Sequence, residues 1–202
     1  MTESSLRETD VDPDPLKQFA RWFDDAQHAG LIEPSAMSLA TASREGTPSV
    51  RLVLLKGFDD RGFVFYTNYQ SPKARDLLEN PRAALVFWWD ALQRQVRITG
   101  DVARVSQAES DAYFQVRPLG SRLGALASSQ SSVIKSRDDL ERQVEALRKQ
   151  YPDGNVPRPE HWGGFRLNPK LVEFWQGRAD RLHDRLQYTR RGASWVIERL
   201  AP

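Results

Sequence analysis

The chain has 202 residues, 40% hydrophobic and 28% charged, the balance of a globular protein with a core and not of a disordered one. With no cysteine and three histidines it lacks disulfides, thiol nucleophiles and Cys- or His-rich metal sites, and no apolar run approaches the ~20 residues of a membrane span. The formal net charge of +2 is too small for a dedicated nucleic-acid binder, although 23 Arg against 6 Lys is a bias that suits either surface charge or bidentate phosphate binding.

Residues 1–13 are acidic, polar and aperiodic, and read as a loose tail. This stretch has neither the basic start nor the apolar core of a secretory signal, so a cytoplasmic protein is expected, with a single domain over residues 14–202. Asp14 as N-cap and Pro15 at the first helical position open a helix over 15–29, with Leu16, Phe19, Ala20 and Phe23 at helical spacing and Gly30 as its stop. Residues 36–43, 48–58 and 63–68 read as three strands joined by short turns, a meander of antiparallel pairing. Ser71 and Pro72 start a short helix that ends at Asn80. The apolar run 83–89 reads as a strand buried on both faces, and 93–105 as a long strand bent at Gly100. Ser106 and Glu109 form a capping box, Pro118 ends that helix, and a small-residue helix follows over 121–127. Ser136 caps a further helix, with Leu140, Val144 and Leu147 as its stripe; strands are expected over 162–167, 171–176, 187–189 and 193–199. Many short strands without βαβ alternation exclude a Rossmann sheet and favour a β-rich α+β fold, an antiparallel barrel with peripheral helices.

The usual nucleotide, zinc-protease and hydrolase motifs are absent. What carries chemistry is a set of cations, hydroxyls and amides at element ends. Arg51 and Lys56 lie on one strand, on opposite faces unless a bulge intervenes, and serve equally as edge-strand charges. Lys73 sits at a helix N-terminus, where free N–H groups favour an anion, although most capped helices bind nothing. Tyr113, Arg117 and Ser121 follow at i, i+4 and i+8, donors suited to a phosphate monoester if the turn at Pro118 lets them converge. Gln130 and Ser131 stand in a polar loop. In 173–185, a strand carrying Trp175 ends in Gly177, and Arg181, His183 and Arg185 alternate with Asp180 and Asp184: a proton-active and anion-stabilising group, or a salt-bridged turn.

The segment EFWQGRADRLHDR closely resembles the signature of the pyridoxine (pyridoxamine) 5′-phosphate oxidases. RLVLLK at 51–56, FYTN at 65–68, RQV at 94–96, YFQVRP at 113–118, SSQSS at 128–132, WGGFR at 162–166 and RLAP at 199–202 follow that family's order. The resemblance implies an FMN-binding split β-barrel working as a homodimer with shared active sites, on phosphorylated B6 vitamers and O2. It implies that Arg51 and Lys73 hold the FMN phosphate, and that Lys56, Tyr66, Thr67, Gln95, Gln130 and Ser131 complete the flavin site. Trp175 and Arg185 would reach the flavin from the second subunit. Lys56, Tyr113, Arg117 and Ser121 would cradle the substrate phosphate, with Arg181 and His183 holding the substrate ring. Two departures stand out: Pro72 replaces the family's usual basic residue, and the segment before Asp14 is short and acidic where relatives often carry a basic arm. The alternatives are a sibling FMN oxidase of another planar substrate such as a dihydrophenazine, which need not keep the substrate-phosphate cradle, and a non-catalytic carrier of FMN or pyridoxal 5′-phosphate.

Overall fold

Asp14 accepts a hydrogen bond from the Leu16 amide, and Pro15 supplies a preset φ, so the chain enters α1 (Pro15–His28) where the sequence predicts. The structure, a computed structural model, describes residues 5–202. Nine strands follow: β1 (Ala36–Ala42), β2 (Pro48–Leu54), β3 (Gly57–Asp59), β4 (Gly62–Asn68), β5 (Arg82–Trp89), β6 (Arg94–Arg104), β7 (Trp162–Gln176), β8 (Asp184–Arg191) and β9 (Ser194–Arg199). The helices between them are α2 (Pro72–Glu79), α3 (Gln107–Val116), α4 (Leu119–Ala127) and α5 (Arg137–Gln150).

All ladders are antiparallel, in the order β2-β1-β5-β6-β7-β4-β3, with β8 on β7 and β9 on β8. Two features turn this sheet into a split barrel. The expected strand over 48–58 is two strands, because the ladder breaks at Leu55 and Lys56: the Leu55 amide donates to Ser35 O at 2.9 Å and the Lys56 amide to Val64 O at 2.9 Å. The chain thus steps directly from one end of the strand order, β2, to the other, β3–β4, and the sheet must curl to allow it. The continuous meander expected from the short turns is therefore interrupted, and β2 and β4 face each other without a ladder. The second feature is β7, which is one 15-residue strand where two were expected. Its first half pairs with β4 and its second half with β8, so one edge forks near Pro169. Proline has no N–H for a ladder, and opposite it the register of β6 shifts between Thr99 and Gly100. A Cβ on Gly100 would overlap the Asn168 carbonyl, which is why the predicted bend requires glycine there.

The main core fills the curled sheet beneath α1. Phe19 is fully buried, with the rings of Phe58, Phe63, Phe87 and Trp89 at 4.8–6.0 Å. A smaller cluster of Phe114, Leu123, Val156 and Trp162 seats α3, α4 and α5 against the start of β7. β5 is not buried on both faces: its burial alternates, and Trp88 on the outward face is 50% exposed. Of the expected loose tail, residues 1–4 lie outside the described residues. Residues 5–13 form no helix or strand, yet Leu6 is buried, Arg199 donates to Leu6 O and pairs with Glu8, and the Tyr188 hydroxyl donates to Asp12 O at 2.7 Å. Among the described residues no helix is long and apolar enough to cross a membrane.

Candidate functional site

The gap between β2 and β4 is a cleft of about 370 Å³, lined from β2 by Arg51 to Leu54, from the β2–β3 break by Lys56, from β4 by Tyr66 and Thr67, and from α2 by Lys73. Tyr113, Arg117, Gln130 and Trp162 complete it. The break at Leu55–Lys56 is what brings Lys56 and Arg51 to one cleft, although simple alternation would separate them. A wider hollow of about 860 Å³ lies between the loop 128–135 and α5; of the predicted residues it takes only Ser131.

One end of the cleft gathers cations, hydroxyls and an amide. Lys73 Nζ donates to Thr67 Oγ1 at 3.3 Å, to Ser71 Oγ at 3.3 Å and to Gln130 Oε1 at 3.2 Å. Ser71 is the N-cap of α2 but does not cap with its side chain, leaving the helix start open. Arg51 is held by Leu39 O at 3.1 Å, by Thr41 Oγ1 at 2.8 Å and by Ser49 Oγ, while Thr41 itself donates to Asp76 at 2.6 Å. Burial, and then the neighbouring Arg51 charge, hold the Lys73 amine below its ordinary value. Burial also lowers the Arg51 guanidinium, against the Asp76 charge that raises it, so two cations short of solvent meet at a helix N-terminus, a site that an anion would relax.

The other end is aromatic and cationic. Tyr66 stacks on Tyr113 with ring centroids 4.0 Å apart and on Trp162 at 5.3 Å. Gly164, opposite Tyr66 in the ladder, makes room, since a Cβ there would lie 2.8 Å from Tyr66 Cε1. Burial pushes the Tyr66 phenol up to about 12, so it stays a neutral donor at physiological pH. The Arg117 guanidinium lies 4.5 Å over the Trp162 ring, and its Nη1 is buried with no hydrogen-bond partner among the described residues. An unpaired buried donor is costly, and this one points to a missing acceptor. Ser121 lies in the first turn of α4, exposed and outside the cleft lining.

The remaining predicted residues form a second group, none of which lines the cleft. Trp88, Gln95, Trp175 and Arg185 are successive cross-strand partners on β5, β6, β7 and β8, a row along the outward face. Trp88 and Trp175 lie 5.9 Å apart, and His183 packs 4.5 Å from the Trp175 ring. His183 Nδ1 accepts from the Arg178 amide at 3.1 Å. Arg181 is exposed, in a turn where Asp180 and Arg181 both have positive φ, 54° and 62°. Two consecutive left-handed non-glycine residues store strain of about 1–2 kcal/mol each. The candidates thus fall into two clusters: cleft and outward row. Sequence reasoning missed Trp162, Thr41 and Asp76 on the first and Trp88 on the second. Trp162 before Gly163-Gly164 was a signal in hand, whereas Thr41 and Asp76 act only through Arg51 and show no spacing.

The sequence pattern of pyridoxamine 5′-phosphate oxidase matches residues 23–151, and that of the pyridoxine 5′-phosphate oxidase C-terminal dimerisation region matches residues 162–202. A pyridoxine/pyridoxamine 5′-phosphate oxidase of Cyanothece sp. is 59% identical over 200 residues, covering 99% of this chain and 94% of its own. The one of Rubrobacter xylanophilus is 56% identical over 201 residues, covering 100% and 93%. Among solved structures, PhzG from Burkholderia lata, in complex with tetrahydrophenazine-1-carboxylic acid, is 32% identical with a TM-score of 0.94 over 100% of both chains. A pyridoxamine 5′-phosphate oxidase-related, FMN binding protein from Nostoc punctiforme, 21% identical, has the same fold, with a TM-score of 0.75 over 98% of this chain and 100% of its own. The two sequence patterns and the high identity over nearly the full length show that the chain belongs to the pyridoxine/pyridoxamine 5′-phosphate oxidase family, a family of oxidoreductases.

Proposed function

We propose that the protein is an FMN-dependent oxidase that converts pyridoxamine 5′-phosphate and pyridoxine 5′-phosphate to pyridoxal 5′-phosphate, with O2 reduced to H2O2. The observation that carries this reading is the pairing of two separate anion-seeking groups in one cleft: Arg51 with Lys73 at one end, and Arg117, its Nη1 without an acceptor among the described residues, with Tyr113 at the other. Two phosphates, one on the cofactor and one on the substrate, need two such groups. The donor set fits FMN: Arg51, Lys73 and the start of α2 for its phosphate, Thr67 and Gln130 beside it, and Lys56 and Tyr66 along the cleft. FMN supplies the hydride acceptor and the reaction with O2 when bound.

The chain's own residues bind and orient. Arg117 and Tyr113, with Lys56, hold the substrate phosphate, and the Trp162 face keeps the guanidinium in place, while Ser121, exposed at the start of α4, is outside the cleft lining and is the substrate contact that the geometry supports least. The outward row completes the site across a homodimer, Trp175, Arg185 and Gln95 meeting the partner's flavin while Arg181 and His183 steer the substrate ring. His183 Nδ1, as acceptor from the Arg178 amide, leaves Nε2 as the nitrogen bearing the proton in the neutral ring. Arg181, held in a strained exposed turn, offers a permanent positive charge where negative charge develops. Ser131, in the loop beside Gln130, is the flavin contact least supported by geometry, since it faces the wider hollow. A chain without cysteine suits a reducing cytoplasm.

The likeness to PhzG, whose structure holds tetrahydrophenazine-1-carboxylic acid, bears on the sibling reading, an oxidase of another planar substrate such as a dihydrophenazine. Identities of 56–59% to the B6 oxidases against 32% to PhzG, and the unpartnered Arg117, weigh for the B6 substrate. Turnover under air tests both. The expected result is stoichiometric pyridoxal 5′-phosphate and H2O2 from pyridoxamine 5′-phosphate with added FMN. Oxidation of a dihydrophenazine alone would establish the sibling, and bound flavin without turnover the carrier.

A further inference from the structure

Glu173 is a buried carboxylate on a sheet face that is otherwise half open. It lies in the middle of β7, is 2% exposed, and is the cross-strand partner of Arg97. Its Oε1 accepts from Arg185 Nε at 2.9 Å, and its Oε2 pairs with Arg97 Nη1 at 3.2 Å. Both oxygens are therefore committed, which is what a buried carboxylate needs. Arg185 is gripped a second time, through Nη1 to Ala201 O at 2.9 Å, and the Leu200 amide donates to Arg185 O at 3.0 Å. Two of the three guanidinium nitrogens are thus tied, and no acceptor among the described residues meets Nη2. Arg185 is the end of the row Trp88–Gln95–Trp175–Arg185, so the unmet nitrogen belongs to a surface whose other members are flat or amide-bearing side chains. A long flexible side chain fixed at two points loses little entropy when a third partner arrives.

We propose that Glu173 is a positioning residue: it holds the Arg185 guanidinium with Nη2 turned outward, set in advance for the cofactor bound by the partner subunit. This rests on the reading of Arg185 as a flavin contact. Glu173 touches neither cofactor nor substrate; it acts through Arg185. A glutamine in its place has one acceptor and one donor edge, and cannot serve two guanidinium groups.

The test is a double-mutant cycle on FMN affinity, read by quenching of flavin fluorescence on titration into apoprotein, with the visible circular dichroism of bound flavin as a second readout. Glu173→Gln should weaken FMN about tenfold, the scale of one charge-assisted hydrogen bond, and should change the dichroism. Arg185→Ala should weaken it at least as much. The double variant should bind no worse than Arg185→Ala alone, because the effect of Glu173 passes through that side chain. Additive losses would show a general structural role and overturn the proposal. If Arg185→Ala weakens FMN and Glu173→Gln does not, the positioning claim alone fails. If Arg185→Ala leaves FMN binding and dichroism unchanged, the reading of Arg185 fails first and this proposal with it. Should Glu173→Gln not give a folded protein, Glu173→Asp withdraws the carboxylate by one methylene while keeping its charge, and the same cycle decides with a smaller expected loss.

Discussion

Lys73 and Arg117 carry the same charge at two ends of one cleft, and their surroundings separate their roles. Lys73 is bonded to Thr67, Ser71 and Gln130 at an open helix start, whereas Arg117 lies on Trp162 with a buried nitrogen that no acceptor among the described residues meets. On the proposed assignment, truncating either would leave a bound phosphate short of a partner, a loss of about 2–5 kcal/mol. Lys73→Ala should therefore lose flavin affinity and regain most turnover at saturating FMN. Arg117→Ala should stay yellow while its KM for pyridoxamine 5′-phosphate rises by about an order of magnitude or more, beyond rescue by FMN. Flavin loss from Arg117→Ala, seen by absorbance after gel filtration, would reverse the assignment. Pro72 is exposed at the first position of α2, beside Lys73, and adds no charge there. Pro72→Arg should add one charge-assisted bond of about 1.5–3 kcal/mol and tighten FMN roughly ten- to a hundredfold. Unchanged affinity in a folded variant would mean that Arg51, Lys73 and the helix start already saturate the phosphate.

At the scale of elements, the segment before α1 is held by ion pairs as well as by the burial of Leu6. Arg199 of β9 bonds Glu8 through Nε at 2.8 Å and Nη2 at 2.8 Å, and Asp184 of β8 through Nη1 at 2.8 Å; Asp184 also accepts from the Leu6 amide at 3.1 Å. The Arg199 hydrogen bond holds the Glu8 carboxyl at about 2 against an ordinary 4.5. A carboxyl depressed on folding stabilises the docked arm above 4.5, and that contribution fades as pH falls toward 2. The Leu6 amide should accordingly lose hydrogen-exchange protection over that window, and Glu8→Gln should lose it already at neutral pH. Equal protection in variant and wild type would show that Leu6 burial alone docks the arm. The sequence hid this docking because two isolated apolar residues, Leu6 and Val11, carry no period, and the hydrogen-bond partners of Leu6 lie more than 170 residues away. Other elements were legible for reasons of local physics. Asp14-Pro15 and Ser106 with Glu109 announced α1 and α3 because caps act within one turn. The break at Leu55–Lys56 and the single length of β7 were not, because apolar alternation runs through both and only pairing with β4 and β8 decides them. The site shows the same division: residue types within single motifs could be read, while the convergence of Lys56 and Arg51 depended on that break.

Over the whole molecule, the two clusters of candidate residues lie on different parts of one subunit, and the outward sheet face between them exposes large apolar side chains. Val50 and Leu52 on β2 are 69% and 72% exposed, Trp88 on β5 is 50% exposed, and β7, β8 and β9 fall within the region matched to family dimerisation. In a twofold dimer a patch meets its own copy, so a row on one subunit can face the cleft of the other, and each dimer has two equivalent sites. This predicts complementation between inactive partners. Arg117→Ala damages the cleft, and Arg181→Ala damages the turn beside the row; each homodimer then has two defective sites. In a mixed dimer one site receives both damaged elements and the other receives none. If subunits exchange at random, half of the dimers are mixed and half of their sites are intact, so about one quarter of wild-type activity should return. The measurement is turnover at low substrate after the two variants are unfolded and refolded together, with each refolded alone as control. Were cleft and turn to act within the same subunit, every site of a mixed dimer would keep one lesion and no activity would return. Recovery therefore reports directly on which subunit supplies Arg181, independently of how much either side chain contributes to the rate.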